Sequence, residues 1–261
     1  MKKKTVFSIT CASVITGCLL IFYTQDTKIE RDATNIEKAV ETNEEIQKVK
    51  YPSQFTAEEI QKMPLIESIS TVISYELNDM PETADLIVLA EAVKPYEARE
   101  HVANYGETPE DKIQPIFFAG GYTKTEVIIK KIIKPSVKND VMVGDEITII
   151  EPLTIFQQPD DSYARYATEN YVALDGTSTY LLFLVQPDPA SNTYGIQNFN
   201  EGRFSINDSN EFEKALVEAG IDKRLKSLSS EETTTMEEML EKHNLFKDYL
   251  FNHFEKELKN N

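Results

Sequence analysis

The sequence predicts a β-rich α+β fold. A small β-barrel of five or six strands is expected, flanked by N-terminal and C-terminal helices and preceded by a single N-terminal membrane segment. Three observations carry this expectation. A charge-free window, Thr5–Gln25, follows Lys2, Lys3 and Lys4. Between residues 83 and 207, β-branched and apolar runs alternate with Gly, Pro, Asn and Asp, the signature of a sandwich or barrel. Helix signals with capping residues stand on both sides of those runs.

The first 25 residues read as a membrane anchor or a lipoprotein-type signal. A helix over Thr5–Gln25 covers about 31 Å at about 1.5 Å per residue. A bilayer hydrocarbon core is about 30 Å thick. The three lysines favour a cytoplasmic N-terminus, which leaves everything after Asp26 outside. The alternative is a cleaved signal peptide. Ile15, Thr16, Gly17 and Cys18 resemble the lipobox of bacterial lipoprotein signals, whose cysteine becomes the lipidated first residue. Cys18 is therefore the candidate for lipid attachment. Against it, "VFSITCASV" before the box is weakly apolar and "LLIFY" after it strongly so, which suits an uncleaved transmembrane helix. Both readings place the folded part at the cell surface, anchored in the cell membrane.

Residues 26–52 are charged and lack Gly and Pro until Pro52. Ile29, Ala33, Ile36 and Val40 recur at helical spacing, so a stalk or spacer helix is expected. Residues 53–82 form a short helical lead-in. In "FTAEEIQKM", Thr56 and Glu59 make a capping box and Phe55 can pack on Ile60. Pro64 ends that helix. "LIESISTVISYEL" fits helix and strand equally.

The barrel is expected over residues 83–207. Its strands are "DLIVLAEAV", with "YEAREHV" as a continuation, then "TKTEVIIKKIIK", "DEITIIE", "STYLLFLVQ" and "GRFSI". Gly120 and Gly121 read as a turn before "TKTEVIIKKIIK". Leu181–Val185 is apolar at every position, so both faces of that strand need cover. Residues 208–261 can supply it. Ser209 caps and Gly220 ends one helix. Thr235 and Glu238 open a longer one with the stripe Met236, Met239, Leu240, His243, Phe246, Leu250, Phe254 and Leu258.

The stretches "TADLIVLAEAV", "YTKTEVIIKKIIKP", "VGDEITIIEP" and "GTSTYLLFLVQP" resemble the netrin-type OB-like domain. Tissue inhibitors of metalloproteinases and uncharacterised bacterial surface proteins also use it. The likeness covers about half the chain and implies a small OB-like barrel. It does not carry protease inhibition across, because that relies on a mature N-terminal cysteine. Here the two cysteines, Cys11 and Cys18, both lie in the apolar segment.

The composition excludes some functions. The formal charge is -17. All 44 acidic residues lie from Asp26 onward, whereas three of the 27 basic ones precede it. That argues against nucleic acid, whose affinity comes from neutralising phosphates. The exported part has no cysteine, hence no disulfide, and a chain this long can bury a core without one.

No residue is nominated as catalytic, and no metal or cofactor is expected. His101, His243 and His253 form no H-E-x-x-H pattern, and no phosphate-binding or nucleophile-elbow motif occurs. Asp160-Asp161 and Glu231-Glu232 read as solvated loop residues. Asp188, Asn192, Asn198, Asn200 and Glu201 offer oxygens without an EF-hand register. Tyr163, Tyr166 and Tyr171 are the candidate binding residues, as aromatics on a barrel loop. The function expected is therefore a membrane-anchored extracytoplasmic binding or scaffolding protein, with a protein or envelope glycan as ligand. The alternatives are an envelope hydrolase with a carboxylate-based site and a dedicated partner subunit of a membrane complex.

Overall fold

The computed structural model describes residues 55–68, 75–107, 116–138, 140–188, 190–221 and 235–259. The expected anchor (1–25), stalk (26–52) and Glu231-Glu232 lie outside the described residues. Among the described residues, no helix is long and apolar enough to cross a membrane.

In chain order the elements are α1 (Ala57–Lys62), β1 (Leu65–Ser68), α2 (Met80–Thr83), β2 (Leu86–Ala92), β3 (Glu100–Glu107), β4 (Ile116–Lys134), β5 (Glu146–Glu151), β6 (Leu153–Gln157), β7 (Tyr163–Thr168), β8 (Thr179–Val185), β9 (Thr193–Ile196), β10 (Arg203–Ser205), α3 (Glu211–Glu218), α4 (Met236–His253) and α5 (Glu255–Lys259).

Five strands close into a barrel. β4 pairs antiparallel with β2 and β5. β8 pairs antiparallel with β2 and β9. The ring closes where β9 meets β5 in parallel, Ile149 opposite Tyr194. β10 extends the sheet beside β8, and β3 lies along the first half of β4. A second sheet has the order β1-β7-β6, with β1 and β7 parallel.

Strand alternation sorts the core. Leu86, Val88 and Ala90 of β2, Val127 and Ile129 of β4, Ile147 and Ile149 of β5, and Leu182 and Leu184 of β8 fill one cluster with Tyr194 and Ile196 of β9. The intervening residues Ile87, Leu89, Leu181 and Phe183 point the other way. There they meet Met80, Phe204, Leu250 and Phe254, with Phe246 and Leu258 alongside. The end of α4 and the residues after it thus cover the outer face of β8. The start of α4 packs elsewhere: Met236, Met239 and Leu240 join Val172, Phe212, Leu216 and Ile221.

The helix ends follow local chemistry. Thr56–Glu59 and Thr235–Glu238 both form complete capping boxes. Phe55, expected on Ile60, sets its ring edge-on to Tyr163 at 4.9 Å. Ser209 is not the cap of α3. The N-cap is Asn210, which makes no side-chain capping bond.

Several strand expectations are settled or corrected. "YEAREHV" does not continue β2: Tyr96–Ala98 form a 3-10 turn and β3 starts a new strand at Glu100. Leu65–Ser68 of the ambiguous segment is strand. β7 runs where the candidate tyrosines were expected on a loop, and β6 and β9 are strands that the sequence did not predict. Gly120 and Gly121 form no turn. They sit within β4 opposite Asn104 and Ala103, where the register shifts by a bulge. A Cβ on Gly121 would collide with the Thr154 side chain and the Val102 carbonyl oxygen. Glycine there lets β6 cross close over the barrel wall.

Candidate binding cleft

Tyr171–Asp175 runs between β7 and β8 outside any helix or ladder. Its backbone must find other partners, and side chains provide them. Val172 N–H donates to Asn200 Oδ1 at 3.2 Å. Arg203 Nη1 donates to the carbonyls of Val172 and Ala173. Leu174 N–H donates to Glu151 Oε2 at 2.9 Å, and Arg99 Nη2 donates to the Leu174 carbonyl at 2.6 Å. Asp175 N–H donates to Tyr180 Oη at 2.9 Å.

Two buried ion pairs anchor this arrangement. Arg99 pairs with Glu151, and Arg203 with Glu211. Glu151 also accepts from Thr125 Oγ1 and from Tyr171 Oη. Tyr180 Oη donates to Glu211 at 2.8 Å. Burial opposes the charge on Arg203, but Glu211 and its neighbours raise its pKa further above the ordinary arginine value. Burial likewise pushes the Tyr171 hydroxyl far up, so it stays a donor. Buried pairs return little net stability against a well-packed apolar replacement. What they provide here is a fixed course for five residues of backbone.

Left-handed turns lead into and lie beside this segment. Glu169 and Asn170 have φ of 50° and 54°, and Asn198 and Phe199 both 52°. Phe199 is unusual there, since bulky residues avoid positive φ. Asn200 joins the two turns by donating from Nδ2 to the Asn170 carbonyl at 3.0 Å. Asn198 spends both ends of its amide on the backbone of Tyr75. These two amides, considered above as cation ligands, are fasteners. Among the described residues no group of three or more His, Cys, Asp or Glu side chains could hold a metal ion.

A cleft of about 490 Å³ opens against the segment. Its other walls are α1, the start of β1, β7 from Arg165 to Ala167, and Ala215–Ala219 at the end of α3. Ile60, Leu65, Leu153, Val172 and Leu174 make it apolar, and Glu58, Glu97, Asp175 and Glu218 supply carboxylates. Arg165 turns its Nε and Nη2 to the carbonyl of Met63, where α1 ends. Burial lowers the pKa of Arg165.

The three candidate tyrosines are not a loop cluster. Tyr163 and Tyr166 lie on β7. Tyr166 lines the cleft, its Oη 2.6 Å from Ser68 Oγ. Tyr171 also lines it but is only 1% exposed. Tyr163 faces Phe55 and is not among the lining residues. The structure therefore brings two of the three to one place and sets the third apart.

His243 is buried, stacked on Phe212 at 4.0 Å, with Nδ1 lacking a hydrogen-bond partner among the described residues. Burial first, then Arg203 and Lys247, lowers its pKa to about 3. His101 lies 3.2 Å from Thr123 Oγ1, a spacing that invites comparison with a nucleophile and base. Both are otherwise engaged: Thr123 donates to the Leu153 carbonyl, and His101 Nδ1 accepts from Ile155 N–H. The pair ties the unpaired edge of β6 to the barrel.

Arg99, Glu151, Arg203 and Glu211 were not singled out by the sequence reading. Glu151 did leave a signal. It shares strand phase with Ile147 and Ile149, and the burial of β5 alternates accordingly. No family model, no curated protein and no solved structure matches the chain.

Proposed function

We propose that the chain is a binding or scaffolding protein, held at the outer face of the cell membrane by its N-terminus and without catalysis of its own. Its ligand enters the cleft beside Tyr171–Asp175. The observation that carries this reading is the wall itself. A backbone segment with no ladder is held by two buried ion pairs and the Asn200 amide, next to a cleft of about 490 Å³. Pre-formed, largely apolar clefts with a few placed polar groups are the usual form of a ligand site, and rigid support of the lining lowers the entropic cost of binding.

In this reading the barrel is OB-like and of netrin type. Its strand order supports that. β8 returns beside β2, giving the order β8-β2-β4-β5, which is the fourth-first-second-third order of a Greek key. OB barrels are five-stranded Greek keys.

The test is a methyl-detected NMR screen of the full-length chain with small apolar, sugar and dipeptide probes. A probe that moves Val172 and Leu174, and stops doing so in Ala215→Phe, supports the cleft. Hits that all leave both residues unmoved refute it. For the anchor, protease added outside intact cells should remove residues beyond about Asp26, and recovery of the whole chain in the cytosol refutes the location. Labelled fatty acid that wild type incorporates and Cys18→Ala does not selects lipid attachment over a spanning helix.

A further inference from the structure

We infer that the cleft selects a ligand with an apolar body beside a positive charge, and that its occupant is a lysine- or arginine-bearing segment of a partner protein. This rests on the cleft being the binding site.

The charge around the cleft is lopsided. Among the described lining residues, Glu58, Glu97, Asp175 and Glu218 stand against the one guanidinium of Arg165, and Lys214, outside the lining, is paired with Asp208. That guanidinium is turned toward backbone, the carbonyls of Met63 and Gln61. Glu58 shares its charge with Lys62 at 2.6 Å, one turn along α1. Glu97 and Glu218 have no ion-pair partner among the described residues. Asp175 is fixed in place: Thr177 N–H donates to its Oδ1 at 2.7 Å and Ser178 Oγ to its Oδ2 at 2.7 Å. An arriving cation finds acceptors already set, whereas an anion meets like charge at a mouth of reduced dielectric.

The remaining surface favours peptide over sugar. Sugars stack on open aromatic faces, and Tyr171 is 1% exposed while Tyr166 meets the Phe118 ring edge-on at 5.1 Å. Aliphatic surface from the half-buried Leu65, Ala173 and Ala215 suits an apolar side chain instead. The net charge of -17 steers basic segments toward the molecule.

The experiment titrates N-acetyl-Phe-Lys-amide and N-acetyl-Phe-Glu-amide into the full-length chain, following the methyl signals of Leu65, Val172 and Leu174. The lysine probe should bind at least about tenfold more tightly than the glutamate probe. The triple variant Glu58→Gln, Glu97→Gln, Glu218→Gln should abolish that preference. A control triple on exposed helix positions away from the cleft, Glu237→Gln, Glu241→Gln, Glu257→Gln, makes the same change in net charge and should preserve it. Filling the cleft from either wall, with Ala57→Phe or Ala215→Phe, should remove binding of the lysine probe. Equal or tighter binding of the glutamate probe overturns the charge preference and leaves the cleft standing. Lysine-probe binding that survives both filled variants, or falls equally in the two triples, shows general surface attraction and also overturns it. If neither probe moves the three residues, the cleft reading falls as well.

Discussion

Arg99 Nη1 lies 2.8 Å from Glu151 Oε1, with side-chain exposures of 1% and 0%. The same carboxylate holds the Leu174 N–H, and the same guanidinium holds the Leu174 carbonyl. One ion pair thus grips one residue of the cleft wall from both sides.

Breaking that pair from one side strands the other charge. Glu151→Leu should cost about 3–5 kcal/mol in urea denaturation, the usual penalty for an uncompensated buried charge. The double variant Arg99→Met, Glu151→Leu should recover much of it, since neither charge then remains. A double variant no more stable than the single one would show that the backbone bonds to Leu174, rather than the charges, dominate.

Acid should weaken the fold before most carboxylates titrate. Burial lowers His101 to about 4, and burial with Arg203 and Lys247 lowers His243 to about 3. An unfolded histidine titrates near 6.5. Below that pH the unfolded chain binds protons that the native chain refuses, so stability falls with acidification down to about 4 and 3 respectively. His243→Phe keeps a ring against Phe212 and has no proton to gain. It should flatten the plot of stability against pH between about 6.5 and 4. An unchanged slope would show that His243 is protonated in the native fold.

The outer face of β8 depends on α4. Leu250 is fully buried among Phe183, Phe204 and Leu181. Leu250→Ala should cost about 2–5 kcal/mol. Deleting residues 233–261 should unfold or aggregate the barrel. Retention of the melting temperature by the truncated chain would make α4 a separate module.

At Gly121 the constraint is space. Gly121→Ala should destabilise by about 1–3 kcal/mol, the usual range for overpacking. Adding Thr154→Ser removes the Cγ2 clash but not the Val102 carbonyl, so rescue should be partial. Full rescue would mean that the carbonyl can move away.

The long strands and capped helices were legible because their signals are local. β2, β4, β5, β8 and β10 announce themselves by runs of β-branched and apolar residues, and Thr56 and Thr235 by a partner three residues on. β9 was not legible. "TYGI" is short and lies among Asn, Ser and Asp, and it becomes a strand because β5 and β8 leave a slot for it. The Gly-Gly pair gave the right residue type for the wrong reason, since close crossing by β6 is a tertiary fact. The cleft was hidden most deeply. Its key residues are charged, and composition assigns charge to the surface. The candidate tyrosines pointed near the place, as Tyr166 and Tyr171 line the cleft, but not to the arginines and glutamates that build it.

Closure of the barrel through β9 has a consequence for synthesis. β5 finds its second neighbour only when Thr193–Ile196 has been made. Until then the open sheet of β8, β2, β4 and β5 presents two raw edges, each able to template pairing with another nascent chain. The cover for β8 comes later still, after Thr235. Most stabilising contacts therefore span long stretches of chain, a topology that folds slowly. A ribosome that stalls before Ile196 releases no smaller barrel, only an open sheet prone to aggregate.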